Sequence, residues 1–453
     1  MNRELAKTVI GCLRLKSDAP DVDRLRRLTK RDWQRSMLWL DHSGLTLYLL
    51  QRLHSLNATD VLPPSILRRF EGNLAQNRRR VDYLANQFAM INEGFQRAGV
   101  NFTVIKGFSL VPEFCPDASL RTPTDLDYLV DKQSLPLARG VLVKMGYCLQ
   151  RVSDIEVKFC KQSSRIPTRS DDPYSRETEP LVELHLGFWQ QKSTSIVLAE
   201  PEFRLDQTAN HEWQGLRFPV LSKEDAFVLQ VIHIFQHIIE GWVKLSWLLE
   251  IAYFLSTQSF DNSFWDGVDV RMRKVPLLTE FGAMVMGLAR TIFAATVPRK
   301  AERWTRSLRV GARLWLDRYG RTWATEEHPY DTFGLFGTAK LCIFLQWEFI
   351  PDRHTRIEVT RRRLFPWKAP ERVATSDTKT AVTFLTANRL QSQFVIRRLI
   401  FHLGSSLRFL WELPRWQELS RRAQAIPPPT YTNPCQEVNS SPPCAGGVKG
   451  EPS

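Results

Sequence analysis

The stretch that decides the fold is Val104–Val130, VIKGFSLVPEFCPDASLRTPTDLDYLV. An apolar run ends in Lys106-Gly107, an arginine follows at Arg121, and Asp125-Leu126-Asp127 opens a second apolar run that ends at Val130. In a strand, residues i and i+2 project to the same face, so Asp125 and Asp127 stand side by side. Two carboxylates that close do not both stay ionised without a cation between them. Carboxylate oxygens suit a hard divalent ion such as Mg²⁺. Paired carboxylates downstream of a glycine turn point to metal-assisted chemistry on phosphates. Asp-x-Asp alone also reads as a solvent-facing pair at a strand start; Lys106-Gly107 and Arg121 in that order favour the metal reading.

Outward from this block, Asn101–Ile105 reads as a first strand and Phe108–Phe114 as a helix stopped before Pro116. Asp125–Val130 is a second strand, and Ser134–Met145 a helix. Tyr147–Val152, Ile155–Lys161 and Leu181–Leu186 are strands, with the polar segment 162–180 as a loop. That order predicts a small mixed sheet with helices on one face. Upstream, Val81–Ala98 places Leu84, Phe88, Ile91 and Phe95 on one helix face, and Gly99 ends it. Downstream, Ser222 caps a helix to about Ile239; helical periodicity runs to about Arg321 and again over Lys340–Glu348 and Ala387–Gln424. The expected organisation is a helical region over 1–98, an α/β core over 99–220, a helical region over 221–425, and a disordered tail rich in Pro, Ser and Gly over 426–453.

These residues resemble the nucleotidyltransferase superfamily with a polymerase-β-like fold, and more closely a bacterial branch known only as nucleotidyltransferase family proteins. The matching positions are Ile105, Lys106, Gly107, Arg121, Asp125, Leu126 and Asp127, then Val182-Glu183-Leu184-His185, then His233, His237, Trp247 and Glu250. The resemblance implies an α/β (α+β) polymerase-β-like core flanked by helical regions. It implies transfer of a nucleotidyl group from an NTP to an acceptor, with Mg²⁺ (or Mn²⁺) held by Asp125, Asp127 and Glu183, and with His185 in the catalytic set. Lys106, Gly107, Ser109 and Arg121 would contact the nucleotide. Three positions depart from the pattern: Phe108 follows Gly107 where Ser or Gly is usual, Thr124 stands where Gly is common, and Glu183 replaces an Asp. The first departure bears on the role of Ser109.

Each residue also has a physical reading of its own. A third carboxylate at Glu183 would let a second metal activate the acceptor hydroxyl. His185 shares its strand face and could bond the metal site, contact phosphate or accept a proton; otherwise the two are the polar face of a half-buried strand. Gly107 permits close backbone approach to phosphate, Lys106 supplies a point charge, and Arg121 either clamps a phosphate or pairs with Asp125. His233 and His237 have the i, i+4 spacing of metal ligands, but His-Ile-Phe-Gln-His lacks the Glu of a zincin, so lining of the cleft or capping of the core is the expected role.

A net charge of +14 attracts nucleic acid, nucleotides or anionic lipid, and also serves solubility. Arg299, Lys300, Arg303, Arg306, Arg309 and Arg313, interleaved with Trp304 and Trp315, could track a phosphate backbone, and residues 394–415 could lie on a membrane surface. A solvated helix face and a helix packed on its own domain are the favoured readings, so nucleic acid and peripheral membrane partners are not favoured. Seven cysteines without a CxxC pair read as reduced thiols and a cytoplasmic home, without a zinc ribbon. The N-terminus lacks a secretory apolar core, and no run of 18 uncharged apolar residues occurs. The alternatives are a degenerate nucleotide- or partner-binding member of the same fold, or a phosphotransferase on this scaffold.

Overall fold

Among the described residues, seven strands form one mixed sheet: β1 Phe102–Val104, β2 Asp125–Val130, β3 Tyr147–Val152, β4 Glu156–Lys161, β5 Leu181–His185, β6 Ala209–Trp213 and β7 Leu216–Val220. Their spatial order is β3-β4-β5-β2-β1-β7-β6. β2 runs antiparallel to β1 and parallel to β5, and β5 is antiparallel to β4. The computed structural model describes residues 2–15, 21–161, 174, 180–199, 201–326, 337–365 and 381–425. The predicted tail over 426–453, and the predicted loop over 162–180 save for Tyr174 and Pro180, lie outside the described residues.

Strand alternation gives the sheet two unlike faces. Leu126, Tyr128 and Val130 of β2, Val182 and Leu184 of β5, and Val157 and Phe159 of β4 share one apolar cluster. Phe88, Ile91 and Phe95 of the helix Pro64–Arg97 and Ala138 and Leu142 of the helix Leu135–Lys144 complete it. Phe88 packs on Phe108, Tyr128 and Phe218, with ring centroids 5.1, 6.1 and 4.8 Å away. The intervening residues Asp125, Asp127, Glu156, Lys158, Glu183 and His185 therefore lie on the opposite face. That face is overlooked by the helices Lys223–Glu240 and Leu245–Gln258. The helical stretches before and after the sheet share a second cluster, in which Leu5, Trp33 and Leu49 join Phe227, Phe254, Phe281 and Phe344. No described helix is long and apolar enough to cross a membrane.

The mixed α/β architecture with helices at both ends agrees with the fold class expected from the sequence. Three local expectations differ. Phe108–Phe114 is not an α-helix: a 3₁₀ turn covers Gly107–Leu110 and irregular turns follow, because Pro112 has no amide hydrogen for a helical bond. The hairpin β6–β7 was not anticipated. Its turn is Gln214-Gly215, both with positive φ (49° and 79°), the geometry of a tight two-residue hairpin. The helix over Val81–Ala98 begins much earlier, at Pro64, whose ring suits a first helical position.

Candidate functional site

β2 and β5 are in parallel register with Asp127 opposite Glu183 and Leu129 opposite His185. On the other side of β5, Lys158 stands opposite Glu183 and Glu156 opposite His185. The sheet thus brings together, in one row, residues far apart in the chain. Asp127, Glu183 and His185 are each about 5% exposed. Oδ1 of Asp127 lies 2.9 Å from Nζ of Lys106 and 2.8 Å from Nε2 of His185. The same Nε2 is 3.5 Å from Oε2 of Glu183. Lys158 donates to Oε1 of Glu183 and lies 3.4 Å from Oε1 of Glu156.

The charges within this row set one another. Burial, and then the negative charges of Asp127 and Glu183, push the Asp125 carboxyl up to about 7. Burial also works against an ionised Asp127, yet Lys106 and the His185 hydrogen bond hold it well below the carboxylate range. Glu183 is held low against its burial chiefly by its contact with His185. His185 is raised: burial and the Lys106 charge oppose its protonation, and the contacts to Asp127 and Glu183 prevail.

The turn after β1 leaves its backbone open but commits the side chains that the sequence assigns to the nucleotide. Lys106 has φ 59° and ψ −161°, a region that favours glycine. A Cβ on Gly107 would meet nothing within 4 Å, so its backbone is open to a ligand. Ser109 donates its hydroxyl to the carbonyl of Lys106 at 2.7 Å and does not line the cleft. Arg121 does not pair with Asp125: its Nε lies 2.9 Å from Oε1 of Glu250 and its Nη1 donates to the Gly107 carbonyl at 3.0 Å. It is a strut between the turn and the helix Leu245–Gln258.

The row forms the floor of a cleft of about 420 Å³ that Lys106, Gly107, Arg121, His233, His237, Trp242, Lys244, Trp247 and Glu250 also line. The His233 and His237 rings are 4.7 Å apart and both pack on Trp247. Burial, then Lys106 and His237, hold His233 well below the ordinary imidazole value, so it is neutral. These histidines line the cleft; among the described residues they belong to no metal-sized cluster. Sequence reading passed over Lys158 and Glu156, although strand alternation puts both on the face of the carboxylates. Trp242 and Lys244 carried no local signal, since only the packing of two helices brings them here.

The donor set fits a divalent cation. One ligand atom each from Asp127, Glu183 and His185 lies within 4.8 Å of the others. Asp125 has no hydrogen-bond partner among the described residues, and Asp127 keeps Oδ2 free of the two cations that crowd Oδ1. Carboxylate oxygens with an imidazole nitrogen are acceptable to Mg²⁺, Mn²⁺ and related ions.

No curated protein and no solved structure matches the chain. A sequence model for a family described as uncharacterised nucleotidyltransferase matches residues 29–294. That span takes in more than half of the 453 residues, every strand of the sheet and all the residues that line the cleft, and the chain therefore belongs to this nucleotidyltransferase family.

Proposed function

We propose that the protein is a divalent-metal-dependent nucleotidyltransferase that moves a nucleotidyl group from an NTP to an acceptor. The observation that carries this reading is the register of Asp127 against Glu183 on neighbouring parallel strands, with Asp125 two residues away, at the floor of a cleft. Asp125, Asp127 and Glu183, with His185 beside them, would hold Mg²⁺ or Mn²⁺. Such an ion supplies charge neutralisation at the phosphates and makes an acceptor hydroxyl easier to deprotonate. Gly107 offers an open backbone to the phosphates, and Lys106 brings a positive charge to the same place. Arg121 positions the turn through Gly107 rather than acting as a free clamp. His185 orients Asp127 and would be a proton acceptor in the catalytic set. The scattered cysteines suit a reducing compartment such as the cytoplasm.

The test is product analysis with Mg²⁺, an NTP mixture and a panel of hydroxyl, amine and phosphate acceptors. Pyrophosphate release that requires Asp127 supports the reading. Release of a nucleoside diphosphate instead would assign phosphoryl transfer on the same scaffold.

A degenerate, binding-only member is favoured by one observation: Lys106 and Lys158 already sit on Asp127 and Glu183, as internal cations would. Nucleotide binding indifferent to metal, without turnover, would select it.

A further inference from the structure

Three cations of the cleft are committed to carboxylates: Lys106 to Asp127, Lys158 to Glu183, and Arg121 to Glu250. Lys244 differs. Its Nζ donates to Oγ1 of Thr122 at 2.9 Å, and it makes no ion pair with a carboxylate among the described residues. A part-buried ammonium without a carboxylate in ion-pair contact is unfavourable. Burial, then the charge of Arg121, push its pKa down to about 8.

Beside it is Ser246, 5% exposed, which lines the same cleft and whose hydroxyl has no hydrogen-bond partner among the described residues. Lys244 and Ser246 flank the start of the 14-residue helix Leu245–Gln258, which has no side-chain cap. Its first amides add partial positive charge. Thr122 accepts from Lys244, so its own hydroxyl hydrogen is available to donate. Gly44 makes the arrangement possible: a Cβ there would come 2.6 Å from Oγ of Ser246 and 2.9 Å from Cε of Lys244. Lys244, Ser246 and Thr122 all have hydrogens to donate, and the two carboxylates that act on Lys244 do not satisfy it: Glu250 accepts from Arg121 and Tyr48, and the Asp125 carboxyl is pushed up to about 7, so the complementary ligand is an anion.

We propose that Lys244, Thr122 and Ser246 form a seat for a phosphate-type oxyanion, carried either by the terminal phosphates of the NTP or by the acceptor. The seat rests on the cleft's own geometry; only the source of its ligand rests on the nucleotidyl-transfer reading.

The experiment is calorimetric titration of the full chain with inorganic phosphate and with pyrophosphate in EDTA. The wild type is expected to bind pyrophosphate without metal. Lys244→Gln should weaken binding about ten-fold or more, and Ser246→Ala, a milder change, a few-fold, as befits loss of charged or neutral hydrogen bonds. Failure of the folded wild type to bind, or binding by both seat variants equal to wild type, would overturn the seat. Since no metal is present, that failure leaves the nucleotidyl-transfer reading standing, to be judged by metal-dependent nucleotide binding. Two further arms identify the source. Weakening of a non-hydrolysable ATP analogue but not of AMP by Lys244→Gln assigns the seat to the nucleotide's tail. Lys244-dependent phosphate binding to protein already saturated with the ATP analogue assigns it to the acceptor.

Discussion

Lys106 reaches Asp127, with Nζ 2.9 Å from Oδ1, from a backbone conformation that glycine adopts readily and lysine does not. Such strain costs about 1–3 kcal/mol and persists where the surroundings enforce it. Lys106→Ala and Lys106→Gly remove the same cation, so their difference isolates the backbone. The glycine variant should be the more stable by about 1 kcal/mol, after allowing for the greater freedom of glycine in the unfolded chain. Urea denaturation checks this; equal midpoints would show that the turn is unstrained.

Asp125 and Asp127 should part company in the metal-free protein. Asp127 anchors Lys106 and His185, so Asp127→Asn should destabilise by about 3 kcal/mol, as expected when a buried pair loses one partner. Burial, then the charges of Asp127 and Glu183, outweigh Lys106 and Lys158 at Asp125, so Asp125→Asn should be neutral or stabilising. Both variants should bind Mn²⁺ more weakly. Matching stability losses would contradict the assigned partners.

Oε1 of Glu250 accepts from Arg121 and from the Tyr48 hydroxyl, each at 2.9 Å, which ties the helix Thr46–Ser55, the turn before β2 and the helix Leu245–Gln258 together. Glu250→Ala should cost about 3–5 kcal/mol by stranding Arg121, while Glu250→Gln, which keeps an acceptor for Tyr48, should cost less. Thermal denaturation distinguishes them.

How much of this was legible differs by scale. The carboxylate strand was readable because alternation is local: Asp125–Val130 is a strand with the bounds the sequence suggests. The pairing of Asp127 with Glu183 was readable only as a resemblance, since register between distant strands leaves no mark in either one. Arg121 was assigned to phosphate or Asp125, and instead meets Glu250, a partner 129 residues away. The β6–β7 hairpin escaped notice because most of Ala209–Trp213 is exposed and polar, and Pro219 weakens the pattern of its partner.

His402, on the helix Ala381–Ala425, tests the placement of the C-terminal region. Burial, then the charges of Lys340 and Arg398, hold its pKa down to about 4, against roughly 6.5 in an unfolded chain. Between these values the unfolded chain takes up a proton that the folded chain refuses, so stability falls as pH drops from about 6.5 to about 4. His402→Gln should narrow the difference in denaturation midpoint between pH 7 and pH 5. An unchanged difference would mean that His402 is not buried beside Lys340.

The most direct test of the central claim is calorimetric binding of non-hydrolysable ATP, GTP, CTP and UTP analogues with and without Mg²⁺, to the wild type and to Asp125→Asn/Asp127→Asn. The account predicts binding of at least one analogue that depends on Mg²⁺ and is lost in the double variant. Binding that is equally strong without Mg²⁺ and survives in the double variant would contradict it.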